Sequence, residues 1–258
     1  MFPSAADCET LRPIMTAPAP EILPLGLDGI LVRFADTLSE AANRAALAFR
    51  GELEHELPTG VTETATSLTS VLVRFRPGEV ARARLEDTLR DRLTRQDWYH
   101  APLPEGRTLW RIPAVFGGEH GPQLDEVAEA AGLSPDQAVT EIASAELRVL
   151  ALGFAPGQPY LGFLDEHWNI PRQTEVTPEV PRGAVVVAVR QVIPFANAAP
   201  TGWRQIGRTA FRCYARNGSP PIPLKAGDSV RFDPAQAKDF ARLADAGPLG
   251  GAVAEPIE

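Results

Sequence analysis

LGFAPGQPYLGFLDEHWNIPR, residues 152–172, holds three prolines, three glycines and four aromatic side chains. Proline fixes φ and removes the backbone donor a helix needs, and glycine weakens any regular element. The run therefore reads as a stiff loop, neither a long helix nor a plain strand. ELRVLALGF (146–154) precedes it, and GAVVVAVRQ (183–191), WRQIGRTAFRCYA (203–215) and DSVRFDP (228–234) follow it. These are short segments rich in β-branched and aromatic residues, separated by Pro/Gly turns, and helical periodicity nearly vanishes after Glu146. That pattern predicts a closed or nearly closed β-barrel. A strand, TLWRIPAVF (108–116), leads into it, followed by two short helices, LDEVAEAAG (124–132) and a segment opened by Ser134-Pro135-Asp136-Gln137. The tetrad has a capping serine, a proline at the first helical position and a capping-box glutamine. PAQAKDFARLADA (234–246) predicts a last helix before a Gly-rich tail.

Working outward to the amino-terminal side, QDWYHAPLPEGR (96–107) reads as a linker. Before it, LDGILVRF (27–34) alternates, with Ile30, Val32 and Phe34 on one face, and predicts a half-buried strand. Ser39 caps a helix over 40–57 in which Ala42, Ala46, Phe49, Leu53 and Leu57 recur at helical spacing. TSVLVRF (69–75) is a second strand. VARARLEDTLRDRLTR (80–95) is a second helix, with Val80, Leu85, Leu89 and Leu93 inward. The order predicts a small α+β sandwich over 25–100. Its turns have no Gly-rich phosphate loop. Residues 1–24, with five prolines and no periodicity, read as a flexible arm. The barrel is expected over 105–235, and a C-terminal helix and tail over 236–258.

Composition narrows the function. Hydrophobic residues make up 44% of the 258 and charged residues 22%, a soluble globular profile. A net charge of −8 excludes the basic stripe of a nucleic-acid surface. The first residues lack the basic and apolar regions of a signal peptide, and no apolar run approaches a membrane span. A cytoplasmic protein is expected. His55, His100, His120 and His167 have no metal-ligand spacing, so no metal site is expected. Cys8 and Cys213 read as free thiols. No G-x-S-x-G elbow is present.

Candidate site residues cluster in three places. In VFGGEHGPQLDEVA (115–128) two glycines bring the backbone close to something, and Glu119 projects from the turn. The segment is either an anion-binding helix start or a structural turn. In the 152–172 loop, Pro156 and Gly157 stiffen a wall that Tyr160 can line. Asp165 and Glu166 point to opposite sides and make a poor acid/base couple. Arg172 can hold a carboxylate or phosphate by two bonds, or form a surface salt bridge. In APTGWRQIGRT (199–209), Gly202 precedes Trp203, which is a core plug or a flat lid over a ligand. Arg208 and Thr209 can complete an anion site.

Taken in order, GGEHGPQLDEVA, LGFAPGQPYLGFLD, the following PR, VPRGAV, the Gln of VRQ, P-x-G-W and IGRT resemble the family of 5-oxoprolinase B subunits. That family also holds the sporulation-kinase inhibitor (Kip) proteins and the proteins called allophanate hydrolase subunit 1, and a related region forms part of urea carboxylase. The resemblance covers residues 25–235. It implies an α+β fold: a small α+β domain followed by a cyclophilin-like β-barrel. It also implies partners, namely the homologous C-type and the A-type subunits of the same enzyme. With them the chain would open a small lactam, 5-oxoproline, to glutamate, with ATP bound in the assembled complex and no cofactor held by this chain. On that basis Arg172 and Arg208 are expected to bind a carboxylate and Gln191 an amide. Glu119 would carry a proton, and Trp203 and Tyr160 would form walls. The chain departs from the family pattern at Ile142-Ala143 (for His-Ser), Gln158, Phe163, Val192-Ile193 and Thr201. Those departures imply an altered substrate, or a non-catalytic regulator like the kinase inhibitors. A urea- or allophanate-type carboxyltransferase fragment is the third expectation.

Overall fold

The computed structural model describes residues 19–257. The proline-rich stretch before residue 19, including Cys8, lies outside the described residues. The first element is a four-stranded antiparallel sheet in the order β1-β2-β4-β3. Its strands are β1 (Glu21–Leu25), β2 (Gly29–Arg33), β3 (Val61–Ser67) and β4 (Ser70–Phe75). The arm expected over 1–24 therefore needs correction at its end, because Glu21–Leu25 pairs with β2 in continuous register. Proline is tolerated there because β1 is an edge strand. β3, VTETATS, is a further strand beyond those expected; its exposed Thr and Glu residues mask the alternation.

Helices α1 (Glu40–His55) and α2 (Arg82–Leu93) pack on this sheet. Ser39 caps α1, its Oγ accepting from the Ala42 N–H at 3.2 Å. Ile30, Val32, Phe34, Val71 and Val73 from the strands meet Ala42, Ala46, Phe49 and Leu53 of α1 and Leu85 and Leu89 of α2. α1 ends before Leu57, which is exposed. The expected linker over 96–107 is partly core. Trp98 and Tyr99 are buried: the indole meets Phe49 edge-on at 5.1 Å, and the Tyr99 hydroxyl donates to the Phe34 carbonyl. Two aromatic rings carry enough apolar area to pull a Pro-bounded turn into the core.

The rest of the chain builds an eight-stranded sheet ordered β12-β9-β10-β7-β6-β13-β5-β14, with β12 also pairing β5. Its members are β5 (Thr108–Phe116), β6 (Leu147–Leu152), β7 (Pro159–Gly162), β9 (Ala184–Ala188), β10 (Gln191–Pro194), β12 (Arg204–Thr209), β13 (Ser229–Pro234) and β14 (Val253–Pro256). Seven of these strands close a barrel. The nine-residue β5 makes closure possible by dividing one edge between two partners. Thr108–Arg111 takes β14, and Ala114–Phe116 takes β12. The Gly-rich tail thus supplies a strand that the sequence did not announce. The expected helix over 234–246 contracts to α5 (Phe240–Asp245) after a single helical turn.

Helices α3 (Leu124–Ala131) and α4 (Pro135–Ser144) cover one side of the barrel, and α4 has the full capping box at Ser134/Gln137. A two-stranded ribbon, β8 (Thr177–Val180) with β11 (Ala199–Thr201), lies outside it. Two corrections follow from turns. GAVVVAVRQ is a hairpin, with Val189 and Arg190 at positive φ, so Gln191 opens β10 rather than ending β9. β7 lies inside the stiff 152–172 run, so that loop is itself part of the barrel wall. Among the described residues, no helix is long and apolar enough to cross a membrane.

One side chain ties the two layers together. β6 bulges between Val149 and Ala151, which pair with Leu161 and Tyr160, and this frees the carbonyl of Leu150. Asn43, fully buried on α1, donates from Nδ2 to that carbonyl at 3.0 Å and to the Leu68 carbonyl at 2.7 Å. Asn43→Leu leaves a buried acceptor at Leu150 and a half-buried one at Leu68 without their donor. It is expected to lower stability by about 1–3 kcal/mol, read as a fall in the urea midpoint; an unchanged midpoint rejects the clamp.

Candidate functional site

The strand AVVVA of β9 has no exposed residue. Val185 and Val187 face the barrel interior, while Ala184, Val186 and Ala188 join Ile193, Phe195, Val180 and Trp203 in a second cluster outside it. That outer cluster is the floor of a cleft of about 350 Å³ beneath the β8–β11 ribbon. Tyr160 of β7 and Ile193 of β10 rise from the barrel wall; Arg172, Thr201, Gly202 and Trp203 close the sides. The Trp203 alternatives collapse into one, since its indole is buried and also forms a cleft wall.

The Arg172 guanidinium lies over the Trp203 ring, 5.3 Å from its centroid. Among the described residues no carboxylate forms an ion pair with Arg172, so the surface salt-bridge alternative is not realised. Amide groups fix the surroundings. Gln173 receives from Gln123 Nε2 at 2.8 Å and donates to the Trp203 carbonyl at 3.1 Å. Its own N–H donates to the Gly202 carbonyl at 2.7 Å. Buried Gln158 accepts from the Ala196 N–H, and the Thr201 hydroxyl accepts from the Trp203 N–H. Phe154, at positive φ and 75% exposed, stands at the mouth. An apolar floor, a flat wall and one unpaired guanidinium suit a small carboxylate-bearing molecule.

Pro156 and Gly157 support the cleft without lining it. A Cβ on Gly157 would fall 2.1 Å from the Cys213 carbonyl, so this turn needs glycine to reach the neighbouring backbone. Cys213 itself is buried, which pushes its thiol up to about 12 and leaves it unreactive.

Other expected site residues lie elsewhere. The close approach predicted for the 115–128 turn is to β12: a Cβ on Gly121 would sit 1.9 Å from the Ile206 carbonyl. The N–H groups of Gly121, Gln123 and Leu124 are already bonded to backbone carbonyls, so the structural alternative holds there. Glu119 projects into solvent and is not among the cleft residues. Arg208 stacks over Phe240 at 5.0 Å and donates to the Arg182 carbonyl. It therefore does not join Arg172 around one hollow, since neither of these partners lines the cleft. Thr209 is structural, its hydroxyl bridging Pro113 and Phe211. Gln191 is buried on the outer face of β10 beside Gly162, two residues along from Ile193, and outside the cleft. Phe163 packs near Arg190 rather than narrowing the cleft, and Ile142 is barrel core. Gln158, Ile193 and Thr201 are the departures from the family pattern that do line it.

The histidine of the 152–172 run is also accounted for. Glu141 of α4 receives from the Trp168 indole at 2.9 Å and contacts His167 Nε2 at 2.7 Å. Glu166 pairs with Arg190. No cluster of three metal-ligand side chains occurs among the described residues.

Residues 20–224 match the family model described as carboxyltransferase domain, subdomain C and D, and the chain belongs to that family. Within it, the chain is 31% identical to the 5-oxoprolinase B subunit of Bacillus subtilis (strain 168), over 85% of this chain and 95% of that protein. It is 44% identical to the 5-oxoprolinase B subunit of Escherichia coli O157:H7, over 54% of this chain and 65% of that protein. The crystal structure of TTHA0988 superposes with a TM-score of 0.67 at 30% identity; the match covers 81% of this chain and 40% of that one. Urea amidolyase of K. lactis shares the fold, with a TM-score of 0.71 at 16% identity, over 93% of this chain and 16% of that one.

The Trp168 indole first, and then His167, hold the Glu141 carboxyl below the usual carboxylate range, against the opposing effect of burial. A carboxylate with a depressed folded value adds stability above its unfolded value and loses it as pH falls through the folded one. Glu141→Gln is therefore expected to flatten the acid limb of the stability curve below about pH 4.5, measured by thermal unfolding at stepped pH. An acid limb as steep as that of the parent rejects the assignment.

Proposed function

We propose that the chain is the B-type subunit of a 5-oxoprolinase-like, ATP-dependent amide hydrolase. In this reading it works in the cytoplasm with the homologous C-type and the A-type subunits, and ATP is bound by the assembled complex rather than by this chain. The region 25–100 acts as a small α+β domain, and the barrel as a cyclophilin-like domain whose outer cleft holds a small lactam or amide. Arg172 binds the carboxylate, Tyr160 and Trp203 flank the ring over the apolar floor, and Gln158 and Thr201 add polar groups to the walls. Glu119, Arg208 and Gln191 have no part in it, since they lie outside the cleft.

The observation that carries this reading is the unpaired Arg172 guanidinium over the Trp203 ring, in a chain that aligns with nearly the whole length of a 5-oxoprolinase B subunit. Among the described residues lining the cleft there is no carboxylate and no histidine. Ring opening needs proton transfer; on the cleft the Tyr160 phenol is the one candidate, and a carboxylate or imidazole would come from a partner, which fits a protein that does not act alone. Gln158, Ile193 and Thr201, the cleft positions that depart from the family pattern, adjust the ligand that is accepted.

The same lack of a carboxylate and a histidine also supports a second reading, a non-catalytic regulator of the kinase-inhibitor type. Co-purification with candidate partners separates the two. The first reading expects ATP hydrolysis stimulated by 5-oxoproline; the second expects reduced sensor-kinase autophosphorylation with no turnover.

A desolvated arginine–carboxylate contact is worth about 1.5–3 kcal/mol. With partner subunits present, Arg172→Ala is therefore expected to lower kcat/KM for 5-oxoproline-dependent ATP hydrolysis by about ten-fold or more. Unchanged turnover in the assembled complex rejects the cleft as the substrate site.

A further inference from the structure

A larger groove, about 650 Å³, runs between the amino-terminal layer and the barrel, away from the Trp203 cleft. Its volume is within the range of small-molecule sites. Three segments distant in sequence each place a cation on it: Arg50 of α1, Arg107 before β5 and Lys225 before β13. Leu47, Leu152 and Ile222 add apolar surface. The Asn43 clamp holds α1 against β6, so the walls are fixed before any ligand arrives.

The groove also carries three acids, Glu54, Glu105 and Asp228, beside the three cations. Glu54 is taken by Arg50 at 2.6 Å. Buried Asp228 already accepts from the Thr108 N–H, the Lys225 N–H and the Trp110 indole. Glu105 stands exposed at the rim. Among the described residues, Arg107 and Lys225 have no ion pair. Burial first, and then the like charges of Arg148 and Arg44, push the Arg107 guanidinium below its ordinary value, with Glu146 and Asp228 opposing. Arg44 and Arg148 share a single carboxylate, Glu40, at 2.8 Å each, which leaves further positive charge beside the groove. Arg107, half-buried, and Lys225, exposed, thus face one hollow without an ion pair, and an anionic ligand would give both a partner.

We infer that this groove binds a small phosphate-bearing molecule, its phosphoryl group held by Arg107 and Lys225 and its body lying on Leu47, Leu152 and Ile222. Two cations from separate segments suit a phosphoryl group, whose several oxygens can meet both at once. The site is separate from the proposed substrate cleft and does not depend on that reading.

The test uses the full chain and follows its thermal midpoint during titration with inorganic phosphate or pyrophosphate, at ionic strength held constant with chloride. Acetate serves as the carboxylate arm. Ligand binding to the folded state alone raises the midpoint. Phosphate and pyrophosphate are expected to raise it and acetate to leave it unchanged. Arg107→Ala and Lys225→Ala are each expected to weaken the response by about ten-fold or more. Arg172→Ala should keep the full response. Removing an uncompensated cation relieves repulsion, so Arg107→Ala should unfold at or above the parent midpoint without phosphate, which keeps the binding comparison valid. ³¹P line broadening on the parent protein gives a readout independent of any variant. The inference is overturned by no phosphate-specific rise in the parent, by an equal rise with acetate, by a response that survives both substitutions, or by its loss in Arg172→Ala.

Discussion

The structure depends on burying both faces of one strand. Ala184–Ala188 lies between β12 and β10, with Val185 and Val187 in the barrel and Val186 in the cluster beneath Trp203. Each buried valine contributes on the order of 1.5–3 kcal/mol. The inner pair helps close the barrel. The outer face needs a cover, and the β8–β11 ribbon with Trp203 provides it. The cleft is the space that cover leaves open, so the site and the stability of the fold have one origin.

Polar chemistry is distributed with similar economy. Most charges on the molecule are satisfied locally, as in the Glu141 anchor of Trp168 and His167 or the pair Arg204–Glu126. Some of the cations without an ion pair line hollows. Arg172 lies over an indole in the cleft, and Arg107 and Lys225 face the inter-layer groove. Their positions divide the molecule into two sites of different charge demand. As proposed, the cleft, with one cation and flat walls, takes a monoanion, and the groove, where Arg107 and Lys225 have no ion pair, takes a phosphoryl group.

Much of the architecture was legible in the chain. The run AVVVA, the Ser134 capping box and the apolar spacing of α1 each encode their element locally. Strands β1, β3 and β14 were not legible. All three are edge strands whose pairing satisfies backbone groups while none of their side chains is buried, so no hydrophobic alternation marks them. Trp98 and Tyr99 were misread because a Pro-bounded segment looks like a linker until a core is there to receive its rings. Of the expected site, Tyr160, Arg172, Gly202 and Trp203 meet in one cleft. Glu119, Gln191, Arg208 and Thr209 do not.

The sequence by itself determined five of the seven barrel strands, the stiffness of the 152–172 run and the family, because these rest on local patterns of branched, aromatic, proline and glycine residues. Only the tertiary structure decided which cations share a cavity. Two arginines look equivalent in a line of letters. The bulged strand β12 holds Arg208 over Phe240, while the loop ahead of β8 carries Arg172 to Trp203, and which surface a side chain reaches is fixed only when the sheet closes.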